Sequence, residues 1–252
     1  MDISRHTDKI AIVTGAGSGI GRATAIRLAA EGASVFACDV NEVGMQDTKD
    51  EISSQDGQCV VIACDVTNQL DVDRLVSQVG SRIDILANVA GIMDHFLPLG
   101  EVDDATWDRV MNVNLTGVMR LSRAVLPMMI TQGGGAIVTV ASKASLSAGA
   151  AGVSYTTSKH AVIGLVKSAA YFYGPKGIRS NAVLPGPVET NIGTTATPLS
   201  AWAIERAGLS MATMPPAAKA DQIASVISWL ASDEASNVNG SVVSADGGWA
   251  SA

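Results

Sequence analysis

The chain has 252 residues, of which 47% are hydrophobic and 16% charged; that is enough for one sizeable core and too little for two ordinary domains. This balance excludes a disordered chain. A net charge of −7 with no Lys/Arg cluster excludes the basic stripe that a nucleic-acid partner requires. No apolar run reaches the roughly 18 residues of a membrane helix, and the opening MDISRHTDKI has no signal-peptide core. The expectation is therefore a cytoplasmic protein with no membrane partner and no metal site. Cys38, Cys59 and Cys64 lie in apolar runs and read as reduced core thiols.

In chain order, the first strand is expected at Ile10–Thr14. It runs into Thr14-Gly15-Ala16-Gly17-Ser18-Gly19-Ile20-Gly21 and then into a helix over 19–31. Glycines let the backbone approach a pyrophosphate, and a helix N-terminus offers it free N–H groups and a positive dipole end. Between a strand and a helix this loop reads as a dinucleotide site. The second strand, Ser34–Cys38, is followed by Asp39, 18 residues beyond Gly21. A carboxylate there can accept both ribose hydroxyls and repels a 2′-phosphate. Ser18, Val40 and Asn41 around it are not basic, so NAD is expected rather than NADP.

A helix over 41–55 precedes the third strand, Cys59–Cys64, which ends in Asp65-Val66. That pair reads either as a border of the adenine or, for Asp65, as the N-cap of a helix over 69–80. The fourth strand, Ile83–Asn88, leads through Val89, Ala90 and Gly91 into a long connection over Gly91–Asp103. A helix over 104–131 carries Asn114 mid-way, where Asn is mildly unfavourable; it reads as a water-holding side chain or a solvent-facing one. Ser142 follows the fifth strand, Ala136–Ala141, and a helix over 153–173 opens with Tyr155-Thr156-Thr157-Ser158-Lys159.

Four helical residues bring Lys159 to within about 40° of Tyr155 on one face. A phenol of pKa about 10 is a poor base at neutral pH; a neighbouring ammonium favours phenolate. The sixth strand, Arg179–Leu184, leads into Pro185-Gly186-Pro187-Val188 and a stretch over 186–216 with a short helix at Leu199–Ala207. A helix over 217–231 and a seventh strand, Ser241–Ser244, complete the set. Several strands are continuous apolar runs, the pattern of strands buried on both faces. Alternation with helices predicts a single-domain α/β fold, a doubly wound parallel sheet with right-handed crossovers. Both long connections follow C-terminal strand ends, where open α/β sheets bind ligands.

The series Thr14–Gly21, Asp65, Asn88-Val89-Ala90-Gly91, Asn114, Ser142, Tyr155-x-x-x-Lys159 and Pro185-Gly186-Pro187-Val188-x-Thr190 resembles the ordered motifs of the short-chain dehydrogenase/reductase family. The resemblance runs from Lys9 to Asp246-Gly247-Gly248. It implies a Rossmann-type seven-stranded sheet and a tetrad of Asn114, Ser142, Tyr155 and Lys159. In that tetrad Tyr155 exchanges the proton, Ser142 positions the carbonyl, Lys159 lowers the Tyr pKa and holds the ribose, and Asn114 anchors a relay water. It further implies Asn88 and Gly91 on the adenosine side, with Val188 and Thr190 at the carboxamide. Val89 departs from the family, which often has a second Asn there. A homotetramer assembled through the helices over 104–131 and 153–173 is implied as well.

The residues expected around the substrate are Met93, His95 and Phe96 after the fourth strand, Ala144 and Leu146 after Ser142, and Ile192, Trp202, Met211 and Met214 in the long stretch. This set is apolar and suits a hydrophobic alcohol or ketone under a lid. His95 reads as a substrate contact or a solvated loop residue, and Trp249 as a pocket wall or a subunit contact. The expected activity is NAD-linked hydride transfer between a secondary alcohol and its ketone. The alternative is a catalytically idle cofactor-binding scaffold, against which the intact tetrad argues.

Overall fold

The structure, a computed structural model, describes residues 4–194 and 197–251; Thr195 and Ala196 of the 186–216 stretch lie outside the described residues. Seven strands form one sheet: β1 (Ile10–Thr14), β2 (Ser34–Asp39), β3 (Gln58–Ala63), β4 (Ile85–Asn88), β5 (Gly135–Val140), β6 (Ile178–Pro185) and β7 (Val242–Ala245). Their order is β3-β2-β1-β4-β5-β6-β7, and every pairing is parallel. The expected strands stand within a residue or two of these ranges. The order reverses between β1 and β4, so their C-terminal ends open a crevice with loops diverging to either side.

The helices are α1 (Gly19–Ala30), α2 (Glu42–Ser53), α3 (Gln69–Val79), α4 (Asp104–Met111), α5 (Val118–Gln132), α6 (Val153–Tyr173), α7 (Asn191–Thr194), α8 (Ala201–Met211) and α9 (Ala220–Ala231). On one face of the sheet Leu28 of α1, Ile52 of α2 and Ile223, Ile227 and Leu230 of α9 pack on Val13, Val35 and Val138. On the other, Leu75 of α3 and Leu121 and Val125 of α5 pack on Ile12, Leu86 and Ile137. Val162 and Val166 of α6 join Ala182 and Leu184 of β6 on that side. Each fully buried side chain of this size contributes about 1.5–3 kcal/mol.

Buried polar residues fasten the two ends of the chain together. Ser228 of α9 donates to Glu31 just after α1, and His6 Nε2 lies 3.1 Å from the Ser228 hydroxyl. Arg5 and Arg27 pair with the same Glu31. Burial holds the His6 imidazole below its usual pKa, which keeps it from adding a second buried charge beside Arg5.

The expected single helix over 104–131 is interrupted. Residues Asn112–Gly117 form a π-helical turn between α4 and α5. Apolar periodicity on either side of an inserted residue looks nearly continuous, so sequence patterning does not register the widened turn. The segment expected at Leu199–Ala207 is helical over Ala201–Met211 instead.

Candidate active site

The phosphate-type loop follows β1 with its geometry fixed by close backbone approach. Gly15 has φ +68°, and a side chain there would meet Ala90 Cα and N at 3.0 Å. A Cβ at Gly21 would lie 2.0 Å from the Gly15 carbonyl oxygen, so α1 can start only beneath a bare backbone. Thr14, buried, locks the loop to the next strand end by accepting from Val89 N at 2.9 Å and Ala90 N at 3.0 Å.

The loop edges a cleft of about 350 Å³ across the β1/β4 seam. Gly15, Ser18, Gly19, Ile20 and Gly21 form one wall, with Asp39, Asp65 and Val66 at one end. Ala90, Gly91, Ser142, Tyr155 and Lys159 line the cleft as well. Pro185, Gly186, Val188 and Thr190 close the last side. These positions come from the ends of six strands, β1 to β6, and from the first turns of α6, and the fold brings them into one cleft.

Asp39 Oδ2 accepts from Gly17 N at 2.9 Å and Oδ1 from Asn41 N at 3.0 Å. Each oxygen keeps a lone pair for another donor, so the carboxylate can accept a pair of vicinal hydroxyls while held rigid. Asp65 forms an Asx turn, accepting from Thr67 N at 2.8 Å and Thr67 Oγ1 at 2.7 Å. The cap of α3 is Asn68, which accepts from Leu70 N, so the capping alternative for Asp65 is set aside. Neither Asn88 nor Asn114 is among the residues lining the cleft; Asn88 is buried in the interior. Its amide donates to Ser122 at 3.1 Å and Thr139 at 3.4 Å, fastening β4 to α5 and β5 in the interior. Asn88 is the last residue of β4, and its side chain lies on the face that α5 covers.

Tyr155 and Lys159 are 8% and 3% exposed. Lys159 Nζ lies 5.6 Å from the Tyr155 ring centroid and donates to the Val140 carbonyl at 2.8 Å. Burial pushes the Tyr155 phenol up to about 12, with a hydrogen bond from Ser142 acting in the opposite direction and Asp94 adding to the rise. Burial also lowers Lys159 to about 8. In the chain by itself the Tyr155 phenol is therefore raised and not depressed, with burial as the leading cause. Ser142 caps the short 3₁₀ turn Lys143–Ser145, accepting from Ala144 N at 3.1 Å.

Asn114 lies in the π turn, fully buried, so the solvent-facing alternative falls. Its Oδ1 accepts from Ile92 N at 2.8 Å, and Nδ2 donates to Ile92 O at 2.9 Å and Ser158 Oγ at 3.2 Å. Both amide hydrogens are committed to protein, so the side chain clamps the segment after β4 to α6, and any water it holds must use the remaining Oδ1 lone pair. The sequence missed Asp94, buried among the apolar residues of Ile92–Leu97; a lone acid in an apolar run is the signal that marks it.

Of the expected substrate residues, Met93 and Ala144 pack with Tyr155, Val110 and Ile92 in one apolar cluster. His95 is turned away, its Nδ1 3.1 Å from the Thr197 carbonyl. Trp202 donates to Glu101 and lines a neighbouring apolar cavity with Phe96, Pro98 and Thr156. Met211 and Met214 border neither space, Met214 being largely exposed. Trp249 is resolved as an intramolecular contact: buried, it donates to Ser210 O at 3.1 Å and carries Lys143 Nζ 4.6 Å over its ring. Cys38 and Cys64 are free, buried and border the cleft. Among the described residues no cluster could hold a metal, and no helix is long and apolar enough to cross a membrane.

The family model described as enoyl-(acyl carrier protein) reductase matches residues 15–250. A 3beta-hydroxysteroid dehydrogenase 2 of Eggerthella lenta is 38% identical over 99% of both chains. The crystal structure of levodione reductase superposes with a TM-score of 0.91 at 34% identity, covering 98% of this chain and all of the other. A Beutenbergia cavernae protein assigned as an NAD(P)-dependent gluconate 5-dehydrogenase, with bound NADP at low occupancy, gives 0.89 at 33% identity over 99% and 100%. Motif order, sheet order and full-length similarity agree: the chain belongs to the short-chain dehydrogenase/reductase family of oxidoreductases.

Proposed function

We propose that the protein transfers hydride between NAD and an apolar secondary alcohol or ketone, with Tyr155 as the acid/base. The observation that carries this reading is the cleft itself, which Tyr155, Ser142 and Lys159 line together with the glycine loop and a preset Asp39. When bound, NAD supplies an acceptor for the hydride leaving the carbinol carbon. Tyr155 takes the hydroxyl proton in the same direction, so alcohol and oxidised cofactor become ketone, reduced cofactor and a proton. Ser142 holds the reacting oxygen, and Lys159 places positive charge beside the ring where phenolate forms.

The residues fit the cofactor: Gly15 and Gly21 let the backbone of the loop pack tightly at the start of α1, where a helix N-terminus suits a pyrophosphate, and Asp39 offers paired acceptors. Asp39 also repels a 2′-phosphate, which supports NAD; the NADP held by the gluconate 5-dehydrogenase relative makes this worth testing. Replacing Asp39→Ala is expected to reduce the NAD over NADP preference in kcat/KM at least tenfold, the effect of losing about 1.5–3 kcal/mol of charged hydrogen bonding. An unchanged ratio would remove Asp39 from the assignment.

The apolar packing of Met93 and Ala144 around Tyr155 supports a hydrophobic substrate, as do relatives named for a hydroxysteroid and for levodione. The decisive experiment is an NAD-linked absorbance screen over hydroxysteroids, cyclic diketones and simple sugars; turnover of sugars alone would overturn the apolar reading. A homotetramer is the expected assembly. The exposed Tyr171 and Phe172, stacked edge to face at the end of α6, support burial of that helix against another copy. Light scattering at a monomer mass of 25.8 kDa would overturn it.

A further inference from the structure

α6 begins without its own cap. Its N-cap residue is Gly152, which offers no side chain, so the first-turn N–H groups need acceptors from elsewhere. Asp94, fully buried on the segment after β4, supplies them. Its Oδ1 accepts from Gly152 N at 2.9 Å and its Oδ2 from Tyr155 N at 2.9 Å. The same carboxylate receives Phe96 N at 3.3 Å. A Cβ at position 152 would stand 2.6 Å from Asp94 Oδ2 and 2.5 Å from Leu97 N, so the glycine is what admits the carboxylate.

The backbone around it is strained in a way the contacts repay. His95 and Phe96 both have φ near +60° (58° and 59°), the left-handed region that non-glycine residues avoid. Asp94 fixes this kink from one side, and Leu199 N, donating to His95 O at 3.1 Å, fixes it from the other. Asp94 therefore ties three things together: the start of the helix bearing Tyr155, the segment carrying Met93 and Phe96, and, through His95, the chain leading into α8.

We propose that Asp94 is a positioning residue that sets the depth of Tyr155 in the cleft and links it to the substrate-side segment. This rests on the assignment of Tyr155 as acid/base. The charge of Asp94 adds to the effect of burial in raising the phenol. The groups acting on the phenol are Ser142 after β5, through a hydrogen bond, and Asp94 after β4, through its charge; Lys159 on α6 itself holds its Nζ 5.6 Å from the ring centroid. Lys143 is turned to Ser210 and Trp249, and His95 to Thr197. Neutralising Asp94 should accordingly ease formation of phenolate, while loosening the geometry that delivers it.

The test is the pH profile of alcohol oxidation by the full-length enzyme. In Asp94→Asn the acid limb should move down, with kcat at the plateau lower by about tenfold because the side-chain amide nitrogen now faces an N–H donor. Asp94→Glu keeps the charge and misplaces it, so kcat should fall with the limb at its parent position. An Asp94→Asn limb that stays in place, whatever kcat does, overturns the proposal and leaves a plain helix cap. If the Asn variant does not fold, Asp94→Ser, a smaller neutral acceptor, takes the same measurement. Failure of both to fold also overturns it, by making Asp94 a residue of the fold alone. Retained turnover in Tyr155→Phe would instead sink the underlying assignment, so the two failures are separable.

Discussion

Tyr155→Phe is expected to lower kcat by about three orders of magnitude, within the range for losing a positioned proton donor, while the affinity for NADH changes little. Phenylalanine keeps the ring that packs with Val110, Ala144 and Met93, so the fold and the cleft walls persist. It removes one hydroxyl and, with it, the partner of Ser142. Steady-state turnover by nicotinamide absorbance and NADH binding by fluorescence read the two effects separately. Burial places the phenol at about 12, so at neutral pH it is held as a proton donor, ready for ketone reduction. Under the proposed assignment oxidation needs the phenolate, so oxidation should gain far more than reduction as pH rises.

The second large effect pairs a loss with a gain. Lys159→Met is expected to lower kcat/KM by about a hundredfold and to raise the melting temperature of the cofactor-free protein at pH 7. The buried ammonium has its pKa lowered from 10.5 to about 8. Below pH 8 it is charged in both the folded and the unfolded chain, and the folded state bears a penalty of about 3 kcal/mol relative to a neutral amine. Between about 8 and 10.5 the unfolded chain binds more protons, so parental stability rises with pH across that window. The Tyr155 shift acts the other way: both states are neutral below pH 10, and stability falls between 10 and about 12 as the unfolded phenol ionises first. Methionine removes the lysine penalty and leaves the Val140 carbonyl without its donor, a loss of about 1 kcal/mol. The net gain of about 2 kcal/mol corresponds to several degrees. An unaltered or lower melting temperature would show that the ammonium is not destabilising in the fold. A chain serving only as a cofactor-binding scaffold has no use for so costly a residue, which speaks against that alternative.

Much of this was legible in sequence, for identifiable reasons. The β1 strand and the 153–173 helix match their expected ranges because continuous apolar runs and uninterrupted periodicity each have one structural solution. The glycine loop and Asp39 are local signals with a fixed offset, and they meet in one cleft as expected. What escaped depended on long-range partners. Asn88 and Asn114 look alike in sequence, yet one amide is spent inside the fold on Ser122 and Thr139 and the other on Ile92 and Ser158. The direction of the Tyr155 shift depends on burial, which a four-residue spacing does not encode. The substrate-side residues of the 186–216 stretch were chosen for chemistry alone, and Met211 and Met214 sit outside the cleft because the turns between elements, not composition, decide where they point.

The knot of His6, Glu31 and Ser228 bears on how the molecule is made. Glu31 ends the first helix, but its partner Ser228 and the apolar side chains Ile223, Ile227 and Leu230 that cover α1 are added nearly 200 residues later. On the ribosome, one face of the nascent sheet and a carboxylate meant for the interior must therefore wait in water until α9 emerges. Chains stalled before that point should be sticky, chaperone-dependent and open to proteases along α1, and the closing of this last helix should be the step that commits the molecule to its native state.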